Sequence, residues 1–258
     1  MALAHPDDET FGVGGVMARA ADEGHRVVVV CATRGEAGEI ADPSLATPET
    51  LGAVREAELR AAARALGVSD VRFLGHRDSG MAGTPENGHP RALVNADRAT
   101  VVAQLVGQIR QVRPDVVVTF EPGGIYGHPD HMTISERATA AVDAAGLAGG
   151  EGKPHRVERL YYIAVPKSIA RMFREFAESS GAQWGASLDI EAAPDDSEIT
   201  ARVDVSAWID RKRAAVAAHA TQQGTLQGMP EDFRDRMFAT EWFMIARGEA
   251  GEAILAGL

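Results

Sequence analysis

Val27-Val28-Val29-Val30-Cys31-Ala32 and, further on, Val116-Val117-Val118-Thr119-Phe120 are unbroken apolar runs of strand length, rich in β-branched side chains. A strand with one wet face alternates apolar and polar residues. A run that does not alternate has both faces covered, the habit of strands in a parallel sheet flanked by helices. Working outward, runs at Val71 to Leu74, Leu160 to Val165, Thr200 to Val205 and Trp242 to Ala246 predict further strands, with a very short first one at Ala2 to Ala4. Segments of helical period fill the intervals: Thr10 to Glu23, Pro48 to Leu66, Asp97 to Val112, Asp130 to Ala145, Lys167 to Ser179 and Ala207 to Ala220. Thr47 reads as the N-cap of the second helix, with Pro48 at its first position and Gly67 past its end. The alternation predicts an α/β fold: a Rossmann-like, mainly parallel sheet with helices on both faces. Residues 1–180 are expected to form this core, and residues 181–258 a C-terminal α+β extension packed on it within a single structural domain. Gly181 to Asp196 reads as the connection. Trp184, Trp208 and Trp242 are too widely spread for a stacking platform and are expected in the core.

The 258 residues are 45% hydrophobic and 24% charged, which excludes disordered and fibrous classes. No apolar run approaches the roughly 20 residues needed to span a bilayer, and no charged segment precedes an apolar one at the N-terminus. A cytoplasmic protein without membrane insertion is expected. The net charge of −11, with no basic block, argues against a nucleic-acid partner. The single cysteine, Cys31, excludes intrachain disulfides and cysteine zinc clusters, so a metal site would have to use His, Asp and Glu. The oligomeric state stays open, a homo-oligomer included.

Three long connections, Thr33 to Thr47, Gly75 to Ala96 and Glu121 to Pro129, each follow a predicted strand and so emerge at the carboxyl edge, where open α/β sheets bind ligands. Two compact clusters sit at such turns. His5-Pro6-Asp7-Asp8-Glu9 follows the first strand, and Tyr126-Gly127-His128-Pro129-Asp130-His131 lies where a helix begins. His5 and Asp8, three residues apart across a turn, can point at one ion, and imidazole with carboxylate suits zinc or iron(II). The second cluster is the natural source of a third ligand. Either cluster alone reads equally well as a turn whose aspartate caps a helix; occurring together, each between strand and helix, they favour a metal site. A rival reading takes Gly12-Val13-Gly14-Gly15 as part of a dinucleotide fingerprint in a non-catalytic nucleotide-binding module. Met17 stands where the third glycine belongs, so close packing of the first helix explains these glycines better.

The two clusters resemble the signature motifs of the LmbE-like, or PIG-L, metal-dependent deacetylases, in which a Rossmann-like domain carries a zinc-type ion. Gly75-His76-Arg77-Asp78-Ser79-Gly80-Met81 and His219-Ala220-Thr221-Gln222 are similar to further segments of that family. The Arg77 to Met81 stretch resembles the branch containing the deacetylase and the conjugate amidase of mycothiol metabolism. The resemblance implies an amidohydrolase that removes an acyl group, most simply acetate, from a small amino-sugar substrate such as an N-acetylglucosaminyl compound. A mycothiol-conjugate type of amidase is the runner-up. It implies one divalent ion, zinc first and iron(II) as the alternative, held by His5, Asp8 and His131. Asp7 matches the non-ligand position and becomes the general base. His128 would donate to the oxyanion or protonate the amine, Asp130 would orient an imidazole, and Tyr126 would add a hydroxyl on the oxyanion side. Arg34, Arg77 and Asp78 are expected to bind the hydroxyl groups of the sugar. His219 divides evenly between core packing and the pocket wall. Only Met1 to Ala4 precede His5, where a central strand normally has about five residues, so the recorded start is expected to lie inside a longer gene product.

Overall fold

The computed structural model describes residues 1–180, 190–226, 229–249 and 254. Trp184 and most of the expected connection from Gly181 to Asp196 lie outside the described residues. Among the described residues, seven strands form two sheets. In the first, β1 (Ala2–Leu3), β2 (Val28–Cys31) and β3 (Asp70–Phe73) lie side by side, all parallel. The second has the order β4 (Val116–Phe120), β5 (Arg159–Ile163), β7 (Thr240–Arg247) and β6 (Ala201–Asp204). There β4 and β5 are parallel, whereas β7 pairs antiparallel with both β5 and β6.

The expectation of a mainly parallel sheet therefore holds for the first sheet and for β4 with β5, and needs correction beyond them. The physical reason is visible in β6, whose residues alternate buried and exposed, the pattern of an antiparallel edge strand with one wet face. The fully buried β2, by contrast, is the unbroken valine run.

The helices are α1 (Asp8–Asp22), α2 (Leu51–Ala65), α3 (Arg98–Val112), the single turn α4 (Gly124–Gly127), α5 (Pro129–Ala145), α6 (Lys167–Ser180), α7 (Ile209–Ala218) and α8 (Glu231–Phe238). Thr47 does not cap α2, which has Thr50 in that position. The Thr47 backbone N–H donates to the Thr50 hydroxyl and its own hydroxyl to Glu49, so Thr47 is used up in the preceding turn. Asp97 does cap α3, accepting from the Thr100 N–H at 2.9 Å. Trp208 and Trp242 are half-buried, and Trp208 donates its indole N–H to Asp22 at the surface.

The core joins β1, β2, β4 and β5 to the inner faces of α1, α2, α3 and α5. Helix α1 seats unusually close. A Cβ on Gly15 would lie 2.4 Å from the Val205 side chain, and one on Gly12 would lie 2.9 Å from Ile163 Cγ2. These glycines serve packing, which leaves the dinucleotide reading without its support. Among the described residues no helix is long and apolar enough to cross a membrane.

Candidate metal centre and active site

The chain leaves β1 and turns at once into α1. Asp8 closes that turn: its Oδ2 accepts the backbone N–H of Ala4 at 3.1 Å and of His5 at 2.7 Å. Two backbone donors on one oxygen leave Oδ1 free, and it faces His131 Nε2 at 3.2 Å. Neither Asp8 nor Asp130 caps its helix. The N-cap of α1 is Asp7, without a side-chain bond, at φ 112°, and that of α5 is His128, whose Nδ1 accepts the Asp130 N–H at 3.1 Å. A non-glycine residue at such a φ costs about 1–3 kcal/mol, so surrounding contacts must hold it there.

His131, on the first turn of α5, is fixed on two sides. Phe120 stacks on its ring with centroids 4.0 Å apart, and its Nδ1 lies 3.2 Å from the Gly124 carbonyl. That carbonyl can only accept, so Nδ1 carries the hydrogen and Nε2 presents a lone pair. Nε2 is buried, has no hydrogen-bond partner, and faces the Asp8 carboxylate. Two electron-rich atoms held at that separation repel unless positive charge sits with them, and a nitrogen and oxygen donor set of this kind suits zinc or iron(II). The residues present therefore fit a divalent ion.

His5 lies at the junction of both clusters. Its Nδ1 is 3.8 Å from Asp8 Oδ2, and its Nε2 is 3.2 Å from Asp130 Oδ2 and 3.5 Å from Asp78 Oδ1. Among the described residues two triplets have ligand atoms within 4.8 Å of one another: His5, His128 and His131, and His5, Asp78 and Asp130. Asp8 belongs to neither triplet, though it touches both His5 and His131.

The charges are unevenly held. Burial resists ionisation of Asp8, yet positive charge at His131 and His5, together with the His5 backbone N–H, draws it down to about 2. Burial and the adjacent Asp8 push Asp7 up to about 7. Burial, with His5 and His131 close by, lowers His128 to about 4, so this ring is neutral near neutrality. Two neighbouring carboxylates thus diverge, the arrangement expected where one holds a cation and the other moves a proton.

Tyr126 stands at the rim, 37% exposed, with its ring 5.2 Å from that of His131. The remaining expected residues lie on the loops after β2 and β3 and already have partners. Arg34 pairs with Glu56 at 2.9 Å and Arg77 with Glu86 at 2.8 Å. Asp78 is buried, accepts the N–H groups of Gly80 and Ala37, and faces His5. His76 bonds Gln104 and lies apart from this cluster's hydrogen bonds.

Sequence reasoning missed several supports. Ser79 gives both its N–H and its hydroxyl to Asp130, at 2.9 and 2.5 Å. Glu121, buried at the end of β4, accepts the N–H groups of Gly123 and Ile125 and so shapes the loop that presents the Gly124 carbonyl. A charged residue closing a buried apolar strand was the available signal for Glu121. Glu9 is fully buried behind Asp7.

Fold and site together define an α/β protein with a cluster of His and Asp side chains at its strand ends that could hold a metal ion. The chain belongs to the PIG-L family, whose model, described as GlcNAc-PI de-N-acetylase, matches residues 1–142. It is 42% identical to the 1D-myo-inositol 2-acetamido-2-deoxy-alpha-D-glucopyranoside deacetylase of Geodermatophilus obscurus, over 97% of this chain and 92% of that protein. Among solved structures, N,N'-diacetylchitobiose deacetylase from Pyrococcus horikoshii superposes with a TM-score of 0.62 at 22% identity, covering 94% of this chain and 81% of that one. GalB, the 4-carboxy-2-hydroxymuconate hydratase from Pseudomonas putida KT2440, superposes with a TM-score of 0.64 at 23% identity, covering 97% and 98%. At these identities the two structures share the fold alone.

Proposed function

We propose that the chain is a metal-dependent amidohydrolase that removes acetate from an N-acetylglucosaminyl compound, and that N-acetylglucosaminyl inositol is its first candidate substrate. The observation that carries this reading is the lone pair of His131 Nε2 set against Asp8, with the raised carboxylate of Asp7 next in the chain. His5, Asp8 and His131 hold the ion, zinc in the first instance and iron(II) as the alternative. When bound, a divalent ion polarises the amide carbonyl and eases deprotonation of water.

The protein's own groups do the rest. Asp7 accepts a proton from the attacking water and returns it to the leaving nitrogen. His128 Nδ1 already accepts the Asp130 N–H, so the neutral ring carries its hydrogen on Nε2 and can donate it to the acyl oxygen. Tyr126 offers a hydroxyl from the rim, and Asp130, anchored by Ser79, orients His5. Arg34, Arg77 and Asp78 recognise the hydroxyl groups from the loops beyond. The likeness to the Geodermatophilus obscurus deacetylase across nearly the whole chain supports the choice of substrate.

A mycothiol-conjugate type of amidase is the second reading, because the Arg77 to Met81 stretch resembles a branch that contains both kinds of enzyme. Amine release from N-acetylglucosaminyl inositol, N-acetylglucosamine and a thiol conjugate, each with and without chelator, separates the two. The proposal expects the acetylated inositol glycoside to give the highest kcat/KM and chelator to abolish it. Faster cleavage of the conjugate would select the amidase, and chelator-resistant hydrolysis would remove the metal.

A further inference from the structure

The turn that carries Asp7 is held from the far end of the chain. Its φ of 112° is uncommon for any residue but glycine. Its carbonyl accepts the Thr10 and Phe11 N–H groups that open α1, and its own N–H donates to Glu9 Oε2 at 3.0 Å. Glu9 is fully buried, and its other oxygen accepts the Thr10 hydroxyl at 2.5 Å and lies 2.7 Å from His219 Nε2. His219 is itself 1% exposed and follows α7 directly. Three residues on, the Gln222 amide donates to the Pro6 carbonyl at 2.7 Å, so one C-terminal segment grips the turn on both sides of Asp7. The Nε2 of His219 must carry a hydrogen, because the carboxylate facing it can only accept.

We propose that His219 is a positioning residue for hydrolysis: it fixes Glu9, which through the Asp7 N–H holds the base carboxylate in its strained place. This rests on the reading of Asp7 as the general base. Without His219, Oε1 keeps a single donor, the Thr10 hydroxyl. Losing a donor to a buried carboxylate is costly, and Glu9, held on Oε1 by the Thr10 hydroxyl alone, is then free to turn and loosen its bond to the Asp7 N–H. Asp7 would relax toward an ordinary φ and its carboxylate would swing away from the water. Misplacing a catalytic group by about 1 Å can cost on the order of a hundredfold in rate.

The test compares His219→Ala and His219→Gln with wild type in the full-length, metal-loaded protein. Glutamine places an N–H close to where imidazole Nε2 stands, while alanine removes it. The expected result is a fall in kcat of about tenfold or more for His219→Ala, at unchanged KM and metal content, with substantial recovery in His219→Gln. A crystal structure of His219→Ala should show Asp7 outside the left-handed region. If His219→Ala folds, binds metal and keeps wild-type kcat, or if Asp7 keeps its φ, the proposal is overturned. It also falls if glutamine restores stability but not kcat. Should wild type hydrolyse none of the amides offered, the functional reading fails, and the φ of Asp7 in the variant still decides whether His219 positions it.

Discussion

At the scale of single residues, the proposed hydrolysis depends on two neighbours of like chemistry being made unlike. Asp8 accepts two backbone N–H groups and lies against two imidazoles, whereas Asp7, in a strained conformation one position earlier, is raised to about 7. Asp7→Asn preserves the shape and removes the proton acceptor. Metal content should be unchanged while kcat falls by on the order of a hundredfold or more, and wild-type turnover at full metal occupancy would rule Asp7 out as the base. Gly124 is a second critical position. Its φ is +70°, and an added Cβ would lie 3.0 Å from His131 Cβ and 2.9 Å from Met132 Cγ. Gly124→Ala should therefore disturb the carbonyl that fixes His131 Nδ1 and weaken metal affinity about 10- to 100-fold, measured by competition with a chromophoric chelator. An unchanged affinity would show that this carbonyl does not orient the ligand.

At the scale of elements, the strands were legible where burial is two-sided. Val28–Cys31 and Val116–Phe120 read directly from their unbroken runs, because only the interior of a sheet tolerates them. Pairing direction was not legible. Whether β7 runs parallel or antiparallel depends on how the chain returns from β6 through α7 and α8, and α8 is too short to declare itself by periodicity. The motif residues at the two turns were legible from residue type and spacing. Glu9 and His219 were not linked, since a contact across 210 positions leaves no local trace. The same holds for Lys212 and Glu241, both about 1% exposed, joined at 2.6 Å, with Glu241 also accepting the Gly15 and Val16 N–H groups of α1. Removing one member of such a pair strands the other charge, so Lys212→Met should lower unfolding stability by about 3–5 kcal/mol, read from the denaturant midpoint. A loss well under about 1 kcal/mol would mean that the ion pair does not hold α1, α7 and β7 together.

At the scale of the whole molecule, the architecture brings three carboxyl-edge turns to one point: the turn after β1 brings His5 and Asp8, the loop after β3 brings Asp78 and Ser79, and the loop after β4 brings His128, Asp130 and His131. The C-terminal segment closes this arrangement from behind, with Thr221 bonding Glu58 of α2 and His219 bonding Glu9 of α1. What the molecule does therefore turns on which of these donors take an ion, and that can be seen directly. A crystal structure of the zinc-loaded protein, with data collected on both sides of the zinc absorption edge, should show one ion with His5, Asp8 and His131 each at roughly 2.0–2.3 Å. An ion lodged instead among His5, Asp78 and Asp130, or no ion at saturating zinc, would contradict the account.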